Sequence, residues 1–185
     1  MMAYAGMDSD HQSSRPNILI LGYARHGKDT VGEILRDDYG FKFTSSSEFV
    51  GREVMWDNWG CAVYKDFDEM FADRVNNRVL WMQMISAFNT PDKTMTAKTM
   101  LKRGFNLYVG MRRLDELQAC QAQGIFDAVI WVDGSDRHPP ETGSMDITYE
   151  NSGADYRIDN NRSLEDLHQN VADIVPKLDQ KTFTV

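Results

Sequence analysis

The run Gly22-Tyr23-Ala24-Arg25-His26-Gly27-Lys28-Asp29-Thr30 sets two glycines in a loop, followed at once by an amine, a carboxylate and a hydroxyl. It satisfies G-x-x-x-x-G-K, a spacing that wraps phosphate. Glycine allows the tight turns through which successive backbone N–H groups converge on phosphate oxygens. A helix starting near Lys28 adds the positive end of its dipole. Lys28 brings a full charge to the β- and γ-phosphates, and Thr30 has a hydroxyl to donate. The implied chemistry is nucleoside triphosphate binding, with ATP and Mg²⁺ as the expected ligands. Gly22, Arg25, Gly27, Lys28, Asp29 and Thr30 are the candidate nucleotide-binding residues. One departure stands out: Asp29 occupies the place where Ser or Thr usually holds Mg²⁺. A carboxylate is an equally hard oxygen ligand, or it can orient an acceptor hydroxyl.

Phosphoryl transfer is mostly positioning and charge stabilisation, so arginines and carboxylates at strand ends are the next candidates. "GMRR" offers Arg112 or Arg113, whose plainer use is pairing with Asp115 and Glu116. Arg137 sits in a loop over 134–146 with Pro139 and Pro140, a candidate lid or a simple connection. Lys28, Asp29, Arg112 and Arg137 form the candidate catalytic set. Asp133, closing "VIWVD", is a second possible metal carboxylate beside Asp29, or a turn aspartate. Glu48 in "TSSSEF" can take a proton from an acceptor, or simply follow a helix cap. With Arg52, Arg74 and Arg78 it makes the candidate acceptor set; Arg74 and Arg78 are four apart, on one helix face. Trp56, Trp59, Tyr64 and Trp81 can stack on a base, although packing is their simpler use. His11, His26, His138 and His168 do not cluster, which argues against zinc.

These residues need elements to hold them. Apolar runs alternate with helical patterns, which predicts α/β units on a largely parallel sheet. "NILILG" reads as a central strand, "FKFTSS" as a second, "NLYVG" as a third, "FDAVIWVDG" as a fourth and "DYRIDN" as a short last one. "TVGEILRDDYG" predicts a helix stopped by Gly40, and Ser45 to Ser47 can cap the helix "EFVGREVMW". The middle, 66–103, reads as helical throughout. Phe67, Met70, Phe71, Val75, Val79, Met82 and Ile85 form its buried stripe. Thr90-Pro91 predicts an N-cap with proline at the first helical position. "LDELQACQAQG" predicts a helix ended by Gly124. Ser163 with Asp166 predicts a capping box opening a final helix with Leu164, Leu167, Val171, Ile174 and Leu178 inward.

The chain of 185 residues is about one domain long. Its net charge of −8 argues against a generic grip on nucleic-acid backbone without excluding a local basic cleft. Cys61 and Cys120 have no metal-like spacing and read as buried thiols of a reducing cytosol. No apolar run approaches the ~18 residues of a membrane span. Residues 1–16 read as a disordered N-terminal arm. Residues 17–185 read as a single domain, with a helical acceptor region at about 46–104.

"GYARHGKDT", "LYVGMRRLDELQAC", "FDAVIWVD" and "ADYRIDNNRSLEDL" resemble the phage-type deoxynucleoside monophosphate kinase group of P-loop kinases. The "GKDT" variant and the terminal I-x-N-x-x-S-L-E-x-L pattern are the most specific parts. The resemblance implies a three-layer α/β fold with a mainly parallel five-stranded sheet, the P-loop after the first strand, and a helical insert. It also implies one of two acceptors. One is 5-hydroxymethyluracil already in DNA, phosphorylated to 5-phosphomethyl-deoxyuridine during thymidine hypermodification; the other is a free deoxynucleoside monophosphate. The first is favoured on overall resemblance. A cytoplasmic location follows, in the host cell if the chain is phage-encoded, with no membrane and no obligate protein partner. The rival readings are a P-loop ATPase, which the absence of an aspartate after the third strand disfavours, and a non-catalytic nucleotide-binding module.

Overall fold

The computed structural model describes residues 15–140, 143 and 145–181. Five strands, β1 (Ile18–Leu21), β2 (Phe43–Ser45), β3 (Leu107–Val109), β4 (Ala128–Asp133) and β5 (Tyr156–Asp159), form one sheet in the order β2-β3-β1-β4-β5. Every pairing is parallel, with Ile18 of β1 opposite Leu107 on one side and Ala128 on the other. A central parallel strand is covered on both faces, which is why β1 is apolar at every position. The period-two alternation of a strand then sends Ile18 and Ile20 to one core and Leu19 and Leu21 to the other.

The first core is closed by α1 (Lys28–Tyr39) and α9 (Leu164–Lys181), through Val31, Ile34, Leu35, Leu167, Val171, Ile174 and Leu178. Helix α1 stops at Gly40, whose φ of 70° and backbone N–H bonds to Arg36 and Leu35 form the expected left-handed cap. The predicted capping box of α9 is present: Asp166 N–H donates to Ser163 Oγ (3.1 Å), and Ser163 N–H to the Asp166 carboxylate (3.2 Å). Leu164, expected inward, is instead 56% exposed, because it lies at the first turn beyond the covered stripe.

The second core is covered by α2 (Ser46–Val50), α6 (Met95–Lys102) and α7 (Leu114–Ala122). Ser45 is the residue of the serine run that caps α2, accepting from Glu48 N–H at 3.1 Å. Between α2 and α6 lies the insert. It runs through a π-helical stretch (Gly51–Gly60), α3 (Cys61–Val63), α4 (Phe67–Ala72), a 3₁₀ turn (Asp73–Val75) and α5 (Arg78–Phe88). Met55, Phe67, Met70 and Trp81 pack there as a third, smaller core. The predicted base-stacking aromatics belong to it: Trp81 is buried, and Trp56, Trp59 and Tyr64 pack against the cluster.

Several expectations for this region are corrected. The helix from Ser46 does not continue as α-helix past Val50. A side chain on Gly51 would strike Trp81 and one on Gly60 would strike Met70, so glycines let neighbouring segments close onto the π-helical stretch. The middle is not helical throughout but breaks after Val75 and after Phe88. Thr90-Pro91 opens no helix; α6 starts at Met95 after Thr94, whose N–H and hydroxyl both donate to Asp92. Three of the seven stripe residues are outside: Val75 is 60%, Val79 64% and Met82 50% exposed, since among the described residues no further layer covers that side. A short helix not anticipated, α8 (Tyr149–Ser152), lies in the connection between β4 and β5. Cys120 is buried as expected, but Cys61 is exposed.

The expected arm over residues 1–14 lies outside the described residues. Arg15 pairs with Asp179 (3.4 Å) and sits over the Phe41 ring, so the last residues assigned to the arm are held against the domain. Among the described residues, no helix is long and apolar enough to cross a membrane.

Candidate functional site

The loop 22–27 joins the C-terminal end of β1 to the N-terminus of α1, at the edge where open parallel sheets take ligands. Its backbone is unusual. Gly22 has φ 144°, Gly27 has φ 89°, and Arg25 is the one non-glycine among the described residues with positive φ, at 65°. Such a conformation costs of order 1–3 kcal/mol and persists only where the surroundings enforce it. Gly27 precedes α1 without any side-chain cap, leaving the first helical N–H groups to an incoming anion. Lys28 folds back over the loop, and its ammonium donates to the Tyr23 carbonyl at 2.7 Å. It therefore stands at the loop's mouth. Asp29 and Thr30 follow in the first turn of α1.

The loop is gripped from behind. His26 is fully buried; Gly134 N–H donates to its Nδ1 (3.0 Å), and its Nε2 donates to the His138 carbonyl (2.9 Å). Asn160 Nδ2 donates to the His26 carbonyl at 2.9 Å. Sequence reasoning gave neither residue a role, although Asn160 is the asparagine of the I-x-N-x-x-S-L pattern. A Cβ on Gly27 would collide with Asn160 Nδ2, and one on Gly22 with the Val132 carbonyl. Gly27→Ala combines that clash with an unfavourable φ and is expected to cost about 2–5 kcal/mol in a urea denaturation. Gly27→Ala in an Asn160→Ala background should recover the steric share; no recovery would show that the clash is not what glycine avoids.

A cavity of about 230 Å³ opens beside this loop, lined by Arg25, Gly27, Thr30, Arg137, Asn160 and Arg162 among others. Three arginines thus come from three loops: the phosphate loop, the segment after β4 and the segment after β5. Arg137 is exposed and borne on a tight turn, with Arg137 N–H and His138 N–H both donating to the Gly134 carbonyl (3.1 and 3.0 Å). The rest of the lid candidate is described only in part, since 141, 142 and 144 lie outside the described residues.

On the other flank the insert brings the acceptor candidates together. Arg52 pairs with Glu48 at 3.2 Å and lies over the Phe67 ring at 3.8 Å. Arg74 lies over Phe71 at 4.3 Å. Burial pulls the Arg74 guanidinium below its ordinary value. Asp29 opposes that shift, Arg78 adds to it, Glu48 opposes it and Arg112 adds to it. One half-buried cation thus feels Asp29 from α1, Glu48 from α2, Arg78 from α5 and Arg112 from the end of β3. Crowded like charges beside two carboxylates are what an anion-binding cleft requires. Arg113, the other half of the pair after β3, pairs outward with Asp146 (3.3 Å) and Asp115 (3.8 Å).

Asp133 does not join this group. It ends β4, as expected, but its carboxylate is held by Arg157 of β5 and accepts from Ser135 N–H at 3.2 Å. Burial raises its pKa, but the bonds from Arg157 and Ser135 outweigh that and hold it below the usual carboxylate range. β4 lies beside β5, so the carboxylate expected as a metal ligand is paired with the Arg157 guanidinium. Among the described residues no three His, Cys, Asp or Glu side chains are grouped to hold a metal. Mg²⁺ commonly takes one or two carboxylates and completes its shell with phosphates and water. Asp29, exposed at the phosphate loop, suits that pattern.

Among solved structures, the chain is similar to a candidate kinase from Chloroflexus aurantiacus j-10-fl. Identity is 15%, the TM-score is 0.50, and the match covers 91% of this chain and 100% of that one. TT1252 from Thermus thermophilus is similar at 17% identity and TM-score 0.49, over 89% of this chain and 98% of that one. No family model and no curated protein matches the chain. The first likeness agrees with what the sheet order and the loop after β1 define directly: a three-layer α/β chain with the fold of P-loop kinases.

Proposed function

We propose that the chain is an ATP-dependent phosphotransferase of nucleotide or DNA metabolism. The observation that carries the proposal is the phosphate loop itself, its strained Gly22, Arg25 and Gly27 backbone leading into α1 with Lys28 folded over it. Beside it, half-buried Arg74 feels the charges of Asp29, Glu48, Arg78 and Arg112. A triphosphate tail lies along the amides of Gly22 to Thr30, with the Lys28 ammonium turned from the Tyr23 carbonyl to its β- and γ-oxygens. The acceptor oxygen attacks the γ-phosphorus as the bond to the β–γ bridging oxygen breaks. ADP leaves with that electron pair. Lys28, Arg137 and Arg112 offset the charge that spreads over the transferring group. Asp29 would hold Mg²⁺, which would supply further charge neutralisation.

The acceptor that the arginine cluster supports best is one bearing its own phosphate, a free deoxynucleoside monophosphate. Bringing two phosphates together needs several guanidiniums, and Arg74 feels the charges of Arg78 and Arg112. The second reading is the hydroxymethyl group of 5-hydroxymethyluracil in DNA. It is favoured by the open outer side of the acceptor region, where Arg78 and Val79 are exposed and a polymer meets no covering layer. Such a base has to be extruded or met single-stranded.

Incubation with γ-labelled ATP separates these readings, with each deoxynucleoside monophosphate in parallel with hydroxymethyluracil-containing DNA. Label in a diphosphate is the expected result. Label in DNA alone replaces the first acceptor with the second. ATP hydrolysis indifferent to any acceptor rejects the kinase and supports an ATPase.

A further inference from the structure

His26 takes no part in the transfer described above, yet it is the most enclosed residue of the phosphate loop after Gly22 is set aside. Its two ring nitrogens answer to backbone groups of fixed polarity. Gly134 N–H can only donate, so Nδ1 carries no proton; the His138 carbonyl can only accept, so Nε2 carries one. The tautomer with a proton on Nε2 and none on Nδ1 is dictated by these partners. Both partners belong to one turn, 134–138, and Arg137 lies between them. The backbone carbonyl of His26 is meanwhile held by Asn160, whose own N–H donates to Asp133 O at 2.7 Å. One residue therefore ties the exit of β1 to the exits of β4 and β5. Gly134 is pressed so close to His26 that an added Cβ would lie 3.1 Å from its Cα. An apolar side chain of the same size would leave a buried N–H without a partner.

We propose that His26 is a positioning residue that acts through Arg137. It fixes the Gly134–His138 turn against the phosphate loop, so that the Arg137 guanidinium stands at the triphosphate in the cavity it shares with Arg25, Thr30 and Arg162. The inference rests on the phosphate-loop reading above, but not on the identity of the acceptor.

A double-mutant cycle on ATP affinity, measured by titration calorimetry, tests it. Arg137→Ala should weaken ATP binding about tenfold. His26→Ala should do the same alone, yet cost less than about twofold when Arg137 is already alanine. Equal losses in both backgrounds would make the role merely structural and overturn the proposal. If His26→Ala does not fold, His26→Asn takes its place in the cycle, because it retains an acceptor for Gly134 and loses the donor to His138.

Amide hydrogen exchange in nucleotide-free protein gives a second readout. The Gly134 amide should exchange at least tenfold faster in His26→Ala and stay protected in His26→Asn; unchanged exchange in His26→Ala overturns the proposal. Failure of the kinase reading looks different, as ATP binding and an intact cycle without transfer to any acceptor. A wild-type chain with no ATP affinity overturns both.

Discussion

Replacing Lys28 by alanine is expected to lower phosphoryl transfer about a thousandfold, close to 4 kcal/mol of transition-state stabilisation, while leaving the fold in place. The asymmetry follows from where the side chain sits. Its ammonium bonds the Tyr23 carbonyl, a neighbour in the same loop, and the residue is half-buried rather than part of a core. Losing that bond should change unfolding free energy by no more than about 1 kcal/mol. In the reaction, by contrast, its charge faces oxygens that become more negative as the bond to ADP breaks. The kinetic split should therefore fall mainly on kcat, measured with saturating ATP, with the urea midpoint as the control for folding. Transfer at the wild-type rate by Lys28→Ala would contradict the assignment of the phosphate site.

Asp29→Ala is expected to cause a loss of about a hundredfold to a thousandfold, and the dependence on Mg²⁺ should reveal why. If the carboxylate holds the ion, the variant binds Mg²⁺ more weakly, and raising its concentration tenfold should restore part of the rate. If the carboxylate orients the acceptor, added Mg²⁺ should change nothing. The variant also removes the largest electrostatic support that Arg74 receives against burial. Acceptor KM should therefore rise together with the loss in kcat, as a change confined to the metal would not require. A variant with wild-type kcat and acceptor KM would remove Asp29 from the reaction.

How much of this was legible before the structure depends on the range over which each feature is determined. The phosphate loop was readable because its requirements are local: two glycines, a lysine and a flanking strand and helix lie within one short stretch. The strands were readable because a central parallel strand has to be apolar on both faces, and β1 and β4 are. The insert was not. Periodicity runs on through the break after Val75 and does not say whether another layer covers Val79 and Met82; among the described residues none does. The π-helical stretch leaves no periodic mark of its own. Asp133 was placed correctly at a strand end, but the partner that decides its role, Arg157, comes from the next strand. His26 was passed over because its partners are backbone groups more than a hundred residues away, which no side-chain motif records. Arg52, Arg74 and Arg78 were legible as one acceptor set, but the single helix face expected for Arg74 and Arg78 is broken between Val75 and Arg78. That Arg74 also feels the charge of Arg112, from the far end of β3, depends on tertiary packing.

The separate packing of the insert has a thermodynamic meaning. Met55, Phe67, Met70 and Trp81 bury one another rather than the sheet, so the arginine-bearing half has a small cooperative unit of its own. Val54, Ile85 and Phe88 tie that unit to the second core, and Trp56, Trp59, Tyr64, Phe71 and Met84 complete it. The donor loop leaves the sheet between the two larger cores, whereas the arginines of the acceptor side ride on this smaller one, so the two sides of the cleft can open with different free energies.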